Sequence, residues 1–366
     1  MIHAYQKELC GHSVGVVFGS FAPLHQGHLD VVMRAKKEND GGCLLISCGY
    51  DGDKGEPLMP HSKRYRYVRE HFANDDMVAV YAINDTEIGA EEYPNGWGKW
   101  KEEFEKIYAK AVKSADERVW YVGDRCYYND LVEQGEKVVL LNREENLISG
   151  TMIRNNPFKY WSQITLPFRR CFSYNVLICG TASEGKSVMT ADLGKYFNAP
   201  YSVEYARQYM EESSVADWEL DGADFLAFLD GQYNLNKKQI NSPSNNGVFF
   251  ADSDALVTKM YAEYYANDKT CSLSKQEYEK IAVVADELTR KSRWDKIYLL
   301  CPKGKFVDDH TRYMAHSGMQ ERQELFDILC KHIKASGNWD KVVILNHGYY
   351  GNFTKIVNDI KEIMKK

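Results

Sequence analysis

The sequence contains no apolar stretch that approaches the roughly 18 residues needed to span a membrane. Its first residues have neither the charged head nor the apolar segment of a signal peptide. A net charge of −6 provides no basic surface for binding nucleic acid without sequence preference. We therefore expect a cytoplasmic protein that neither inserts into membranes nor binds nucleic acid.

Metal-binding cysteine spacing is also absent. The nine cysteines are scattered, and Cys43 and Cys48 lie five residues apart, which does not match a zinc site. An odd number of cysteines without a pattern is typical of reduced thiols in the cytosol. We favour the interpretation that cysteines in the apolar, strand-like runs are buried and pack in the core.

Short apolar runs alternate with segments of helical spacing along all 366 residues. This alternation predicts α/β architecture with parallel sheets, and the length suits two domains. The expected strands are 14–18, 43–48, 78–83, 119–122, 138–141, 175–179, 248–251, 297–300 and 342–345. The expected helices are 29–37, 63–72, 100–113, 187–197, 225–239, 276–288, 320–333 and 353–364. Because Pro157 stops a helix, we draw the boundary nearby, between domains 1–165 and 166–366.

A loop rich in glycine and histidine, residues 19–28 (GSFAPLHQGH), follows the first apolar run. A helix that begins there would place His25 and His28 beside its amino end, where unpaired N–H groups suit a phosphate. The imidazoles could then donate hydrogen bonds to charge that develops on an α-phosphate. Two surface histidines in a turn are the alternative.

Residues 148–154 (ISGTMIR) add hydroxyls and a guanidinium just after the fifth expected strand. Such a cluster could bind the two phosphates that leave as pyrophosphate. Ser149 is also a good helix N-cap, and both interpretations can hold. The predicted ATP-binding residues of this domain are Gly19, Ser20, Phe21, His25, His28, Ser149, Thr151 and Arg154. The catalytic candidates among them are His25, His28 and Arg154.

Residues 180–187 (GTASEGKS) match the Walker A pattern between an expected strand and helix. Backbone N–H groups of this loop would hold a β-phosphate, Lys186 would bridge the β- and γ-phosphates, and Ser187 would bind Mg²⁺. Glu184 is an awkward neighbour for a phosphate, so we expect its side chain to point outward. The ATP-binding candidates here are Gly180, Ser183, Gly185, Lys186 and Ser187.

Charged residues further along could complete this second site. Asp252 and Asp254 end the strand 248–251, at the edge of a parallel sheet that faces a nucleotide. Asp252 could hold Mg²⁺ or orient the acceptor hydroxyl, and with Lys186 it is a catalytic candidate. Arg312 follows the strand 297–300, where related small kinases carry a lid, and could neutralise transferring charge. Surface ion pairs are the alternative interpretation for each.

The motifs 25–28 (HQGH) and 148–154 (ISGTMIR) resemble those of the nucleotidyltransferase superfamily. The stretches 92–97 (EYPNGW) and 154–161 (RNNPFKYW) narrow the likeness to NadR-type enzymes. These bifunctional enzymes join a nicotinamide mononucleotide (NMN) adenylyltransferase to a ribosylnicotinamide kinase. The resemblance implies a Rossmann-like nucleotidyltransferase domain followed by a P-loop kinase domain.

The same resemblance assigns substrate contacts. It implies an aromatic side chain that stacks on nicotinamide, with Trp97 as the first NMN-binding candidate and Tyr93 as the second. Residues 204–207 (EYAR) resemble the family's acceptor element. Nucleoside-binding candidates in the kinase domain are Glu204, Arg207, Asp252 and Asp254.

The likeness extends over nearly the whole chain and implies an NAD salvage enzyme. The kinase would phosphorylate ribosylnicotinamide with ATP, and the adenylyltransferase would join NMN to a second ATP, releasing NAD and pyrophosphate. Mg²⁺ is expected at both sites, and a homo-oligomer is plausible. Some members carry an N-terminal helix-turn-helix that reads DNA. We expect none here, because about a dozen residues precede the first strand.

Other functions remain open at this point. A coenzyme A synthase also couples a nucleotidyltransferase to a P-loop kinase, whereas the flavin kinase of a bifunctional FAD synthetase lacks a Walker A loop. A nucleotide sensor with one decayed domain, or a partner of an uptake transporter, would bind nucleotides without turnover.

Overall fold

The computed structural model describes residues 7–142, 147–268, 271–303 and 318–365. Contacts divide the chain into two compact units, Met1–Phe172 and Ser173–Lys366. Within the described ranges, no helix is long and apolar enough to cross a membrane.

The N-terminal unit alternates strands and helices. Its strands are β1 (Leu9–Cys10), β2 (Ser13–Gly19), β3 (Cys43–Gly49), β4 (Val78–Asn84), β5 (Val112–Ser114), β6 (Glu117–Val122) and β7 (Lys137–Leu140). Its helices are α1 (Gln26–Glu38), α2 (His61–His71), α3 (Asp85–Ile88), α4 (Trp97–Ala111), α5 (Arg125–Glu133), α6 (Gly150–Asn155) and α7 (Leu166–Arg169). Five strands form a parallel sheet in the order β4-β3-β2-β6-β7, and β1 pairs separately with β5.

Apolar side chains cover both faces of this sheet. Val17 packs in the cluster on one face, while Val16 and Trp120 pack in the cluster on the other. Parallel strands buried on both faces give the continuous apolar runs that are visible in the sequence. The strand order reverses between β2 and β6, and ligands of such folds bind beyond the carboxyl ends of the strands at this point.

The segment after residue 165 packs inside the N-terminal unit. Phe168 is fully buried, and its ring lies 5.5 Å from the ring of Tyr67 on α2. Arg170 also lies over the Tyr67 ring and pairs with Glu70. The structural division therefore falls later than the sequence boundary at 165, because these contacts attach α7 to α2.

The C-terminal unit is a second α/β layer structure. Its strands are β8 (Tyr174–Gly180), β9 (Tyr201–Ser202), β10 (Val248–Ala251), β11 (Lys296–Leu300) and β12 (Val342–Leu345). Its helices are α8 (Lys186–Phe197), α9 (Tyr205–Ser213), α10 (Gly222–Ile240), α11 (Ala255–Asn267), α12 (Lys275–Lys291), α13 (Met319–Ala335) and α14 (Tyr349–Met364). The parallel sheet has the order β12-β11-β8-β10-β9, which places β8 at its centre.

Two apolar clusters cover the faces of this sheet, and a third joins α10, α11 and α12. Phe250 belongs to one face and Phe249 to the other. Buried on both sides, β8 and β10 hold the loops that follow them in fixed positions.

Two candidate nucleotide-binding sites

A cavity of about 760 Å³ lies at the carboxyl ends of the strands in the N-terminal unit. The residues predicted for this domain all line it, namely Gly19, Ser20, Phe21, His25, His28, Tyr93, Trp97, Ser149, Thr151 and Arg154. They come from three separate stretches of sequence, 19–28, 93–97 and 149–154. The fold thus gathers both predicted motifs and the aromatic candidates around one space.

The two histidines meet at the start of α1. His25 is the N-cap, and its ring stacks on that of His28 with centroids 3.8 Å apart. The His25 backbone N–H donates to His28 Nδ1 over 3.4 Å, so the His28 proton is left on Nε2. Burial lowers the pKa of His25 to about 4, with Asp30 opposing the shift. Burial, His25 and Lys54 lower the pKa of His28.

Both imidazoles are therefore neutral near pH 7 and keep an N–H for donation. His25 Nδ1 is buried and has no hydrogen-bond partner within the described ranges. A buried polar atom without a partner is costly, and a ligand phosphate could satisfy it. The geometry of the two histidines therefore fits neutral imidazoles that donate hydrogen bonds to a bound anion.

The loop between β2 and α1 holds a strained residue. Phe21 has a φ of 44°, in the left-handed region that bulky side chains rarely adopt. Its ring is buried and makes an edge contact with His28, with centroids 5.0 Å apart. Such strain persists only where the surroundings fix it, and it clusters at functional sites.

The second motif is attached to this loop. Ser149 caps α6 by accepting from the Met152 N–H over 3.2 Å. Arg154 donates to Thr151 Oγ1 over 3.0 Å and to the backbone carbonyl of Ala22. The guanidinium thereby connects the two predicted phosphate-binding motifs at the cavity wall.

The aromatic candidates form one wall of the same cavity. Trp97 stacks on Trp100 at 5.1 Å with the rings 7° apart, and its centroid lies 5.5 Å from Tyr127. Tyr93 lies 4.5 Å from Tyr127 and donates its hydroxyl to Asp130. Trp97 is thus a packing residue on one face and a cavity-lining residue as well.

Sequence reasoning missed several residues of this cavity. Asp53 lines it and forms a bidentate ion pair with Arg64, both buried. No sequence signal links these two positions, because the pair forms only in the folded unit. Asp85 also lines the cavity. The rule that selected Asp252, a carboxylate at the end of a parallel strand, could have found Asp85 after β4.

The Walker A stretch forms a compact loop between β8 and α8. Gly185 caps α8 with a φ of 78°, which suits glycine. Any Cβ at Gly180 would lie 2.8 Å from the Leu300 carbonyl oxygen, so the loop needs glycine there also. Lys186 is buried and donates to the Thr181 carbonyl over 3.0 Å. Ser183 and Ser187 lie in the same loop and the first turn of α8.

Glu184 turns towards α13 and not to solvent as expected. Its carboxylate pairs with Arg322, and the two side chains are only 6% and 2% exposed. The backbone N–H of Lys303 donates to the same carboxylate over 3.1 Å. Arg322 therefore neutralises the negative charge that seemed awkward beside a phosphate.

Replacing Arg322 with methionine is expected to destabilise the C-terminal unit by about 3 kcal/mol, because it leaves the Glu184 carboxylate buried without its partner. Arg290→Met removes an exposed ion pair with Glu287 and should cost less than about 0.5 kcal/mol. Hydrogen exchange of backbone amides in β8 and α13 measures the difference in the full chain. Equal losses in the two variants would contradict a stabilising buried pair.

Asp252 lies beside Lys186 and is fully buried. Burial raises its pKa, while the charge of Lys186 and the hydroxyl of Ser187 act in the opposite direction. No hydrogen bond of ordinary geometry reaches either carboxylate oxygen in the part of the chain described. Both oxygens are thus available to a cation or to a substrate hydroxyl.

A narrow cavity of about 60 Å³ lies near Asp252, because its lining includes Glu204 and Arg207, whose charges act on that carboxyl. Glu204 and Arg207 line it together with Phe225, Phe228 and Tyr261. The cavity is smaller than the roughly 300–1,000 Å³ of an ordinary ligand site.

Asp254 does not reach this cavity, contrary to the sequence expectation. It caps α11 by accepting from the N–H groups of Leu256 and Val257, at 3.0 and 3.3 Å. Its other oxygen accepts from Trp294 Nε1 over 2.8 Å. These buried donors occupy the carboxylate, which corrects its assignment as a nucleoside ligand. Arg312 lies outside the described residues.

Comparison with known proteins extends the motif evidence. Residues 16–156 match a family described as cytidylyltransferase-like, and residues 175–351 match one described as an AAA domain. A crystal structure of NadR protein in complex with NR shares 33% identity and a TM-score of 0.87, and the alignment covers 98% of this chain and 97% of that one. This chain belongs to the NadR family.

Other NadR proteins are also similar to this chain. A NadR crystal structure in complex with NAD and AMP-PNP is 32% identical, with a TM-score of 0.85 and 98% of both chains covered. The trifunctional NAD biosynthesis/regulator proteins NadR of Salmonella typhimurium and Escherichia coli K12 are 28% and 27% identical over 96% of this chain and 83% of theirs. The family and two-domain fold expected from the motifs are confirmed.

Proposed function

We propose that this NadR-family chain makes NAD in two steps. Its C-terminal unit phosphorylates ribosylnicotinamide with ATP to give NMN, and its N-terminal unit adenylylates NMN with a second ATP to give NAD and pyrophosphate. The observation that carries the proposal is the pairing of two candidate phosphate-binding sites in one chain that matches NadR structures along its length.

In the N-terminal unit, the NMN phosphate attacks the α-phosphorus of ATP. The neutral His25 and His28 would donate hydrogen bonds to the charge that grows on the α-phosphate. Ser149, Thr151 and Arg154 would hold the β- and γ-phosphates as pyrophosphate leaves. Positioning and electrostatics carry such a transfer, so no covalent intermediate with the protein is needed. Trp97 and Tyr93 would contact the nicotinamide.

In the C-terminal unit, the 5′-hydroxyl of ribosylnicotinamide attacks the γ-phosphorus of ATP. Lys186 would bridge the β- and γ-phosphates within the Walker A loop. Asp252 would accept the hydroxyl proton or orient the hydroxyl, which its open carboxylate oxygens allow. Glu204 and Arg207 would bind the nucleoside.

Mg²⁺ fits the residues of the kinase site. Asp252 offers two buried oxygens without ordinary hydrogen bonds, and Ser187 lies beside it. No cluster of three or more metal-binding side chains occurs among the described residues, so the phosphates of ATP would supply further ligands. The ion would neutralise charge on the phosphates.

Location and assembly are proposals as well. We propose a reducing cytoplasmic setting, because Cys43 and Cys179 are free thiols buried in sheet cores. The net charge of −6 disfavours non-specific binding of nucleic acid, and the proposed ligands are the small molecules ATP, ribosylnicotinamide, NMN and NAD. Homo-oligomerisation stays a prediction from the family likeness.

A product assay by mass spectrometry tests the whole proposal. Purified protein with ribosylnicotinamide, ATP and magnesium should yield NMN first and then NAD, with ADP and pyrophosphate as co-products. The control reaction contains phosphopantetheine in place of ribosylnicotinamide, with the same ATP and magnesium. We expect no product from it. Coenzyme A products, or no turnover of either acceptor, would contradict the proposal.

A further inference from the structure

The half-buried side chain of Asp85 has no assigned role in the chemistry above. It is the first residue of α3, directly after β4, and it lines the cavity of the N-terminal unit. Its Oδ1 atom is buried and has no hydrogen-bond partner within the described ranges. Because burying an unsatisfied acceptor is costly, a ligand donor is the natural partner for this oxygen.

Asp85 lies at the aromatic end of the cavity. Its charge acts on the thiol of Cys48 and on the phenol of Tyr127, raising the pKa of each. The Tyr127 ring is 5.5 Å from Trp97, the first candidate for contact with nicotinamide. The open oxygen therefore belongs to the end of the cavity where the substituent of a pyridine ring would lie.

We propose that Asp85 selects the carboxamide of NMN against the carboxylate of nicotinic acid mononucleotide. This inference rests on the proposed NMN adenylyltransferase activity. An amide N–H donates to an ionised carboxylate, whereas a nicotinate carboxylate offers only acceptors and a second negative charge. Like charges placed together in a desolvated site repel strongly, so the acid is rejected.

Trp97 offers a contrast within the same wall. Its Nε1 is also buried and without a partner in the part of the chain described. An indole N–H can donate to an amide carbonyl or to a carboxylate alike. Trp97 therefore contributes to binding of both mononucleotides, and the choice between them depends on Asp85.

The proposal predicts a pH dependence, because burial, with a smaller contribution from Asp53, raises the pKa of Asp85 to about 6. Above this value the carboxylate is ionised, accepts from the amide and repels the acid. Below it, the protonated group can donate to the acid. Selectivity for NMN should therefore fall as the pH drops through about 6. Titratable groups that interact with Asp85 include Cys48, Asp53 and Tyr127, and Glu87 lies two positions further along α3.

The test compares kcat/KM for NMN with kcat/KM for nicotinic acid mononucleotide in the full-length enzyme. In Asp85→Asn the side chain keeps its size but loses its charge and gains a donor, so the ratio should fall about a hundredfold. Asp51→Asn is the matched control, since Asp51 is exposed and does not line the cavity. Trp97→Phe should lower both values and leave their ratio within about threefold.

A second measurement is independent of whether the variant folds well. The ratio of the two kcat/KM values is followed in the wild-type enzyme from pH 8 to pH 5. Effects of pH that are common to both substrates cancel in this ratio. A decline of the wild-type ratio centred near pH 6 supports the proposal. An unchanged ratio in Asp85→Asn, or a flat wild-type profile, overturns it while NAD formation from NMN leaves the proposed function intact. Wild-type enzyme that adenylylates neither mononucleotide overturns both.

Discussion

Replacing Lys186 with alanine is expected to lower ribosylnicotinamide phosphorylation by roughly a thousandfold or more, while NAD formation from supplied NMN stays within about twofold. Lys186 is buried in the Walker A loop, next to Asp252. No other described residue of that loop carries a positive charge. Its loss removes the cation that would stabilise the transferring γ-phosphate, and the first unit has its own phosphate-binding residues.

The measurement separates the two steps by the acceptor supplied. Kinase turnover is followed as ADP release with ribosylnicotinamide, and adenylyl transfer as NAD formation with NMN. Lys195→Ala is the matched control, because Lys195 lies on the same helix α8 with its side chain 73% exposed. Loss of both activities in Lys186→Ala would mean that the two sites do not work independently.

Replacing His28 with alanine should have the opposite pattern. We expect NAD formation from NMN to fall by roughly a hundred- to a thousandfold, with the kinase step unchanged. The lowered pKa keeps His28 neutral, and its Nδ1 accepts from the His25 backbone, so Nε2–H is the donor towards the cavity. Removing one preorganised donor to a developing oxyanion costs this much in other enzymes.

Two further variants make the result specific. His12→Ala removes an exposed histidine paired with Asp116, and should leave NAD formation unchanged. His28→Asn keeps an acceptor for the His25 backbone N–H and so preserves the start of α1, but it should still lose most of the activity. NAD formation within threefold of wild type in His28→Ala would rule out a catalytic role for this imidazole.

Most strands could be read from the sequence because parallel strands are buried on both faces. Strands β10 and β12 match the expected ranges 248–251 and 342–345, and β3 and β4 differ from theirs by one residue. The two-residue strands β1 and β9 were missed. Such short pairings carry too few side chains to show a pattern, and they form only when a neighbouring strand is in place.

Helices were also missed: α3 and α7 span only four residues each, and the longer helices α5, α9 and α11 were missed for different physical reasons. In α11 the first six residues are consecutively buried, so the helix has no polar face and no 3.6-residue period. Helix α9 spans nine residues and has no buried residue. Helix α5 spans nine residues and buries only Leu131.

The candidate sites also separate into features that the sequence predicted and features that only the structure showed. Glycine, histidine and lysine spacing predicted both candidate phosphate loops, because the residues of such a loop are neighbours in the sequence. Asp252 and Asp254 looked equivalent, as alternate residues after one strand. The structure separates them, since Asp254 becomes the cap of α11 and the acceptor for Trp294, which lies 40 positions away.

By itself the sequence determined the two-domain α/β class, both phosphate loops and the family likeness, because these depend on short-range periodicity and on motifs whose residues are neighbours in the chain. Only the tertiary structure decided which charges face each other. The Asp53–Arg64 and Glu184–Arg322 pairs, and the open oxygen of Asp85, arise from chain segments that come together on folding. Burial then sets their ionisation, and burial is a property of the packed molecule.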